Sequence, residues 1–161
     1  MAKKKAQNIG CFFETLLPAR PDDILELDEL WSFVEKKKNP QWIWVALCRR
    51  TRQIVSWSVG PRDWYRCYQL WQGMPQEYKG CHSFSDYWNS YREVFSNQTH
   101  KSVGKESGQT AHIERWNNTL RQRLGRFVRK TLSFSKTQHM HEICLKIFIY
   151  EYNLSLKSFQ A

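Results

Sequence analysis

Apolar and polar residues alternate, or apolar residues run together, in three short stretches of the first half of the chain. These stretches cover residues 25–34, 42–48 and 53–60, and a few polar residues separate each from the next. Alternation places successive side chains on opposite faces of a sheet. The pattern therefore predicts three strands, and the short turns between them favour an antiparallel meander.

The second half of the chain has mainly helical periodicity. One apolar stripe at steps of three and four, from Ile113 to Phe127, predicts a helix over residues 110–130. A meander followed by mixed strands and helices predicts an α/β domain at 25–157, with a lead-in or linker at 1–24 and a tail at 158–161. The other predicted elements are helices at 61–74, 87–95 and 137–153 and short strands at 79–86 and 99–101.

Asp28 does not fit the apolar strand in which it lies. On a strand, Glu26, Asp28 and Leu30 share one face, so the Asp28 carboxylate faces a side that should be buried. A buried carboxylate is costly unless it is paired, protonated or bound to a metal ion. We favour metal binding over the alternative, a buried salt bridge to an arginine.

Composition favours a single folded domain that binds a polyanion. The chain has 161 residues, of which 41% are hydrophobic and 15% aromatic, so disorder is excluded. Its formal net charge of +10 is typical of nucleic-acid-binding proteins, although a generic basic surface is the alternative. The five cysteines have no metal-site spacing, and we interpret them as reduced core thiols of a cytosolic protein. No stretch is long and apolar enough to predict a membrane span.

Two further acids are placed where they could join Asp28. Asp86 ends the predicted strand at 79–86, and Glu114 lies beside the apolar stripe of the helix at 110–130. Taken alone, Asp86 could be a helix cap and Glu114 a surface residue. Carboxylates that converge need a cation, and Mg²⁺ prefers a few carboxylates together with phosphate oxygens. With the basic charge, this pattern predicts a metal-dependent site acting on a nucleic-acid phosphodiester.

Several of these segments resemble the insertion sequence 1 (IS1) family of bacterial transposases. Residues 26–31 (ELDELW) are similar to the strand of its first aspartate, and residues 85–91 (SDYWNSY) to its second. Residues 112–122 (HIERWNNTLRQ), 124–126 and 129–136 (RKTLSFSK) resemble its glutamate helix and the segment that follows. The resemblance covers roughly residues 25 to 155.

The resemblance implies a DDE transposase with a ribonuclease-H-like fold. Asp28, Asp86 and Glu114 would be both the catalytic residues and the ligands of two Mg²⁺ ions, for which Mn²⁺ could substitute. The spacing of 28 positions between Asp86 and Glu114 suits such enzymes. We predict that neighbouring Glu26 and Glu29 are not ligands.

Basic and amide side chains near the glutamate are the predicted contacts to double-stranded DNA. His112 and Arg115 would orient the helix or touch phosphate. The remaining predicted DNA contacts are Asn117, Asn118, Arg121, Arg123, Arg126, Arg129, Lys130 and Lys136.

Two other groups of residues are given no part in the site. We predict that His139 and His141 are exposed or capping and that the tryptophan-rich strands belong to the core.

The resemblance also implies partners and a location. In the family, a zinc-finger and helix-turn-helix segment is encoded upstream and joined by frameshifting, and no such pattern precedes residue 25 here. We therefore expect the catalytic half of a transposase, acting as a homo-oligomer on DNA in the cytoplasm, at the nucleoid. The alternatives are a nuclease of the same fold and a non-catalytic DNA-binding or inhibitory fragment of a decayed element.

Overall fold

A five-stranded sheet forms the centre of the computed structural model, which describes residues 2–160. Its strand order is β3-β2-β1-β4-β5. The pairs β1–β2 and β2–β3 are antiparallel, whereas β1–β4 and β4–β5 are parallel. The strands are β1 (Ile24–Phe33), β2 (Pro40–Cys48), β3 (Ile54–Gly60), β4 (His82–Ser85) and β5 (His100–Ser102).

Helices flank this sheet, and within residues 2–160 none is long and apolar enough to cross a membrane. The mixed sheet with its antiparallel meander confirms the predicted ribonuclease-H-like α/β fold. The helices are α1 (Ala2–Gln7), α2 (Trp64–Gln72), α3 (Asn89–Val94), α4 (Ala111–Arg123) and α5 (Gln138–Gln160).

Each face of the sheet has its own hydrophobic core. Leu25 and Leu27 of β1 pack on the face covered by α2 and α3, with Leu70 and Tyr91. Leu30 lies on the opposite face, in the core that α4 and α5 form. The alternation of β1 therefore sets which helices each of its side chains meets.

Helix α4 is shorter than predicted and ends at Arg123 instead of Lys130. Leu124 is already extended, and Gly125, a poor helix former, begins a 3₁₀ turn. Phe127 is nevertheless 1% exposed, because the turn returns it to the core. The apolar stripe was predicted correctly, but it does not lie on one continuous helix.

The predicted lead-in at 1–24 is packed against the domain. Thr15 is fully buried, and Lys5 of α1 forms an ion pair with Glu151 of α5. The amide of Asn153 donates to and accepts from the backbone of Ile54, at 2.8 and 2.9 Å. Gln53 donates to the carbonyls of Thr15 and Asn153. α5 continues through residues 158–160 of the predicted tail, and Ala161 lies outside the described residues.

The prediction for His141 was wrong, whereas His139 is exposed as expected. His141 is fully buried, and its ring nitrogens lie 2.7 Å from Ser32 Oγ and 2.8 Å from Ser135 Oγ. It therefore joins β1 and α5 to the segment after α4. Its i, i+2 spacing from His139 gave no sign of this, because the hydroxyl partners come from distant parts of the chain.

The prediction that the cysteines are core thiols holds for only three of the five. Cys48, Cys67 and Cys81 are buried, but Cys11 is exposed and Cys144 is half-buried. All five are free thiols in the structure.

Replacing Asn153 by alanine should destabilise the protein by about 2 to 4 kcal/mol, because it leaves buried backbone groups of Ile54 without partners. Urea unfolding followed by circular dichroism measures the change. The control is Asn97→Ala, an exposed asparagine whose loss should have little effect. Equal stability of the two variants would contradict the role given to Asn153.

Acid should destabilise the protein partly through His141. Burial, and then the charge of Arg126, lowers the pKa of His141 from 6.5 to about 4. The unfolded chain therefore takes up the proton first, and stability is lost as the pH falls from about 6.5 to 4. Between neutral pH and pH 4, the free energy of unfolding should fall by roughly 3 kcal/mol more in wild type than in His141→Gln. His139→Gln should keep the wild-type pH dependence, and an identical profile for all three chains would refute the assignment.

Candidate active site

Two aspartates lie side by side where β1 and β4 diverge. The parallel pairing of these strands covers three residue pairs and ends at Glu26 with Phe84. Asp28 lies two positions after Glu26 in β1, and Asp86 lies two positions after Phe84, directly after the end of β4. Because parallel strands run in register, both carboxylates emerge at the same edge of the sheet.

Asp28 is a half-buried carboxylate with two partners. Its Oδ1 accepts a hydrogen bond from the backbone N–H of Glu29 at 2.9 Å, and its Oδ2 accepts one from Asn117 Nδ2 at 2.7 Å. Burial, followed by the charges of Glu29, Asp86 and Glu114, raises the pKa of Asp28 to about 7. The pocket thus disfavours a second negative charge and favours a proton or a cation beside Asp28.

Glu29, which we predicted not to be a ligand, lies in the same cluster. One oxygen each of Asp28, Glu29 and Asp86 lies within 4.8 Å of the others. However, Glu29 already accepts hydrogen bonds from Arg62 Nε at 2.9 Å and from the Tyr91 hydroxyl at 2.5 Å. Burial raises its pKa, and these two donors partly offset the effect. Glu29 is therefore a partnered carboxylate next to the two aspartates.

Arg62 is held rigidly at this edge of the site. Its guanidinium centre lies 4.6 Å from the ring centre of Trp42 and 3.8 Å from that of Trp88. Such stacking between two indoles fixes the donors that face Glu29.

The third predicted acid, Glu114, enters the site from α4. It lines the same cavity as both aspartates, with its Oε1 accepting a hydrogen bond from Thr110 Oγ1 at 3.1 Å. Glu114, Asn117, Asn118 and Arg121 recur at steps of three and four, so one face of α4 forms a wall of the cavity. The cavity has a volume of about 430 Å³, and its charged lining residues are Asp28, Glu29, Arg62, Asp86, Lys105, Glu114, Arg121 and Arg129.

Glu26 fixes the start of α4. This carboxylate is fully buried, and one oxygen accepts hydrogen bonds from the backbone N–H groups of His112 and Ile113, both at 2.9 Å. The other oxygen accepts from Arg49 Nε at 2.9 Å and lies 2.6 Å from His112 Nδ1. An anion at a helix N-terminus satisfies free N–H groups and complements the helix dipole. Glu26 thereby sets the position of Glu114 two residues further along.

The residues of the cavity fit a hard divalent cation. The ligand atoms that converge within 4.8 Å are carboxylate oxygens of Asp28, Glu29 and Asp86, the donors that Mg²⁺ and Mn²⁺ prefer. Glu114 lines the same cavity but is not part of this cluster. A cation would also relieve the mutual repulsion that raises the pKa of Asp28.

Comparison with known proteins shows the family to which the chain belongs. A family model described as IS1 transposase matches residues 24–155, which include all three predicted acids. The chain belongs to the IS1 transposase family. It is 37% identical over 126 residues to the insertion element iso-IS1n protein InsB of Shigella dysenteriae, covering 78% of this chain and 93% of that protein. It is also 32% identical over 117 residues to the insertion element IS1 protein InsB of Shigella flexneri, covering 73% of this chain and 86% of that protein.

Membership of the IS1 transposase family makes this chain a member of a class of DNA-processing enzymes. Membership does not by itself assign roles to the other predicted site residues of α4. In the structure these residues lie on two different faces of the helix. Asn117, Asn118 and Arg121 line the acidic cavity. His112 and Arg115 line a separate depression with Trp116 and Thr119.

Two predicted DNA contacts of this family member thus face away from the acids. His112 is engaged with Glu26, so its position fits the predicted role of orienting the helix. Arg115 is exposed on the far side of α4. Only a DNA molecule that extends beyond the cavity could reach it.

The predicted line of basic residues after α4 does not form. Because the helix ends at Arg123, the later cations lie on an irregular segment and not along one face of a helix. Arg129 lines the acidic cavity, Lys130 lines a neighbouring groove, and Arg126 donates to Ser135 Oγ at 3.4 Å. Arg123 and Lys136 are exposed.

Sequence reasoning missed the residues that support the acids. Arg62 and Tyr91 have no local pattern that signals a role, and their contacts with Glu29 join residues that are distant in the chain. The one available signal was Glu26 itself, a second carboxylate on the same strand face as Asp28, which needed a buried partner just as Asp28 did.

Replacing Glu26 by glutamine should destabilise the protein by about 2 to 4 kcal/mol, because Arg49 and the first N–H groups of α4 lose a charged acceptor. Thermal and urea unfolding measure the loss. Glu106→Gln, at an exposed glutamate, is the matched control and should retain wild-type stability. If Glu26→Gln were as stable as this control, Glu26 would not anchor α4.

Proposed function

We propose that this chain is the catalytic part of a DDE transposase, in which Asp28, Asp86 and Glu114 hold two Mg²⁺ ions. The reactions would be hydrolysis of the phosphodiester at the element ends, which frees a 3′-hydroxyl, and attack of that hydroxyl on a target phosphodiester. The second step would join the 3′ end of the element to the target phosphate and release a target 3′-hydroxyl as the leaving group. The convergence of these three acids in one cavity with basic residues is the observation that carries the proposal.

When bound, the ions would supply neutralisation of phosphate charge and activation of the attacking hydroxyl. Asp28 is the most suitable ligand, because one of its oxygens lies within 4.8 Å of an Asp86 oxygen, it lines the same cavity as Glu114, and its Oδ2 is oriented by Asn117. Mn²⁺ has the same preference for oxygen donors and is expected to substitute.

The remaining side chains of the cavity would bind and orient the DNA backbone. Lys105, Arg121 and Arg129 line the cavity, and none of them forms an ion pair within residues 2–160. Unpaired cations beside carboxylates suit a phosphate that bridges protein and metal. The proposed substrate is therefore double-stranded DNA held by its phosphates.

In the cell, we expect a homo-oligomer that holds two element ends together at the nucleoid. We also expect that recognition of the ends depends on a zinc-finger and helix-turn-helix segment joined upstream by frameshifting. The net charge of +10 supports contact with DNA beyond one active site.

Asp28→Asn should abolish transposition, because an amide cannot replace the central carboxylate ligand. We expect a loss of about a hundredfold or more in transfer of a marked element from a donor plasmid. Mn²⁺ binding, followed by electron paramagnetic resonance, should weaken in the same variant. Asp86→Asn and Glu114→Gln should have the same effects as Asp28→Asn on transposition and on Mn²⁺ binding.

The control for these variants is Glu106→Gln, which should transpose and bind Mn²⁺ like wild type. Full transposition by Asp28→Asn would exclude this site. Metal-dependent nicking of unrelated duplexes, without any strand transfer, would instead indicate a nuclease. Salt-dependent DNA binding without metal-stimulated chemistry would indicate a non-catalytic fragment.

A further inference from the structure

A second groove continues from the acidic cavity along the β1–β2 ribbon. β4 pairs with only the first three residues of β1, so the ribbon extends beyond it. Trp31 and Trp42 are direct cross-strand partners there and share one face. Both indoles line the acidic cavity and also this groove of about 390 Å³.

The prediction from sequence placed the tryptophan-rich strands in the core, but these two tryptophans lie at its border, with Trp42 packed against the core from outside. Both are half-buried, while Trp44, two residues from Trp42, is fully buried. The Arg62 guanidinium already lies over the ring of Trp42, so the partly exposed indole of Trp31 is the main stacking surface of the pair.

Cations line the rest of the groove. Lys37, Arg129 and Lys130 are exposed, and none forms an ion pair within the part of the chain that the structure describes. Arg129 belongs to both the groove and the acidic cavity. Nearby, the Nε atom of Arg121 is buried without a hydrogen-bond partner, and burial and the charge of Arg129 lower its pKa. Arg121 and Arg129 line the acidic cavity together, so a phosphate at the border of the cavity and the groove would have two cations beside it.

We propose that this groove binds an unpaired nucleotide of the DNA substrate, with its base against Trp31 and Trp42 and its phosphate on Lys37, Arg129 and Lys130. The inference rests on the proposed function, because it extends the DNA path from the proposed active site. Inside a duplex, neighbouring pairs cover both faces of a paired base, whereas an unpaired base can turn a face toward an indole. The groove thus selects DNA whose strands are separated next to the reacting phosphate.

The charge pattern distinguishes this ligand from an apolar one. An apolar peptide would leave the three cations without partners, and phosphate alone would not use the indoles. A nucleotide satisfies both the cations and the indoles, because its phosphate forms ion pairs and its base stacks.

The test measures binding of the full chain to two short duplexes without divalent metal, so that no cleavage occurs. One duplex is blunt, and the other has a short single-stranded overhang, at either the 5′ or the 3′ end, that contains the fluorescent base 2-aminopurine. Wild type should bind the overhang duplex more tightly and quench its fluorescence. Trp31→Leu should weaken binding of the overhang duplex roughly 5- to 100-fold and leave blunt binding unchanged.

Three further variants make the result specific. Trp31→Phe should restore part of the quenching, which separates stacking from a folding defect. Trp64→Leu, at a tryptophan of α2 that is 49% exposed, should bind both duplexes like wild type. Lys130→Gln should weaken both complexes and reduce the salt-dependence slope by about one.

Equal affinity of wild type for the blunt and overhang duplexes would overturn the proposal. So would an equal loss for both duplexes in Trp31→Leu, or the same loss in Trp64→Leu. Because binding is measured without metal, these results are independent of whether Asp28→Asn abolishes transposition.

Discussion

The short parallel pairing between β1 and β4 is the constraint on which the site depends. After the pair Glu26 and Phe84 the two strands separate, and the next inward carboxylates, Asp28 and Asp86, face each other across the opening. A longer pairing would fill this opening with backbone hydrogen bonds. The gap instead exposes the edge of β1 to Glu114 and to the segment that follows α4.

The same strand carries three acids with three different environments. Glu26 is neutralised by Arg49 and the start of α4, and Glu29 by Arg62 and Tyr91. Asp28 alone has no cationic partner within hydrogen-bonding distance among the described residues. Burial, followed by the charges of Glu29, Asp86 and Glu114, raises its pKa to about 7. Glu26 and Glu29 thus have partners within the protein, whereas the charge of Asp28 needs a cation from outside. This suits the ligand role proposed for Asp28.

The segment between α4 and α5 extends the site toward the tryptophan groove. It is fixed by Phe127 in the core and by the buried contacts of His141 with Ser32 and Ser135. These anchors hold Arg129 at the border of the acidic cavity and the groove. A DNA strand that runs from the acidic cavity into the groove would need a cation held in a fixed position between them, and Arg129 lies there.

The sequence by itself determined the order of the elements, the mixed sheet, the apolar stripe of α4 and the family, because periodicity and local motifs are properties of neighbouring residues. It also singled out Asp28, since a carboxylate in an apolar strand is anomalous wherever the strand lies. Only the tertiary structure decided that α4 stops at Arg123, that His112 and Arg115 face away from the acids, and that His141 is buried. The partners of Glu26, Glu29 and Arg62 were also decided there, because each contact joins residues far apart in the chain and depends on how the elements pack.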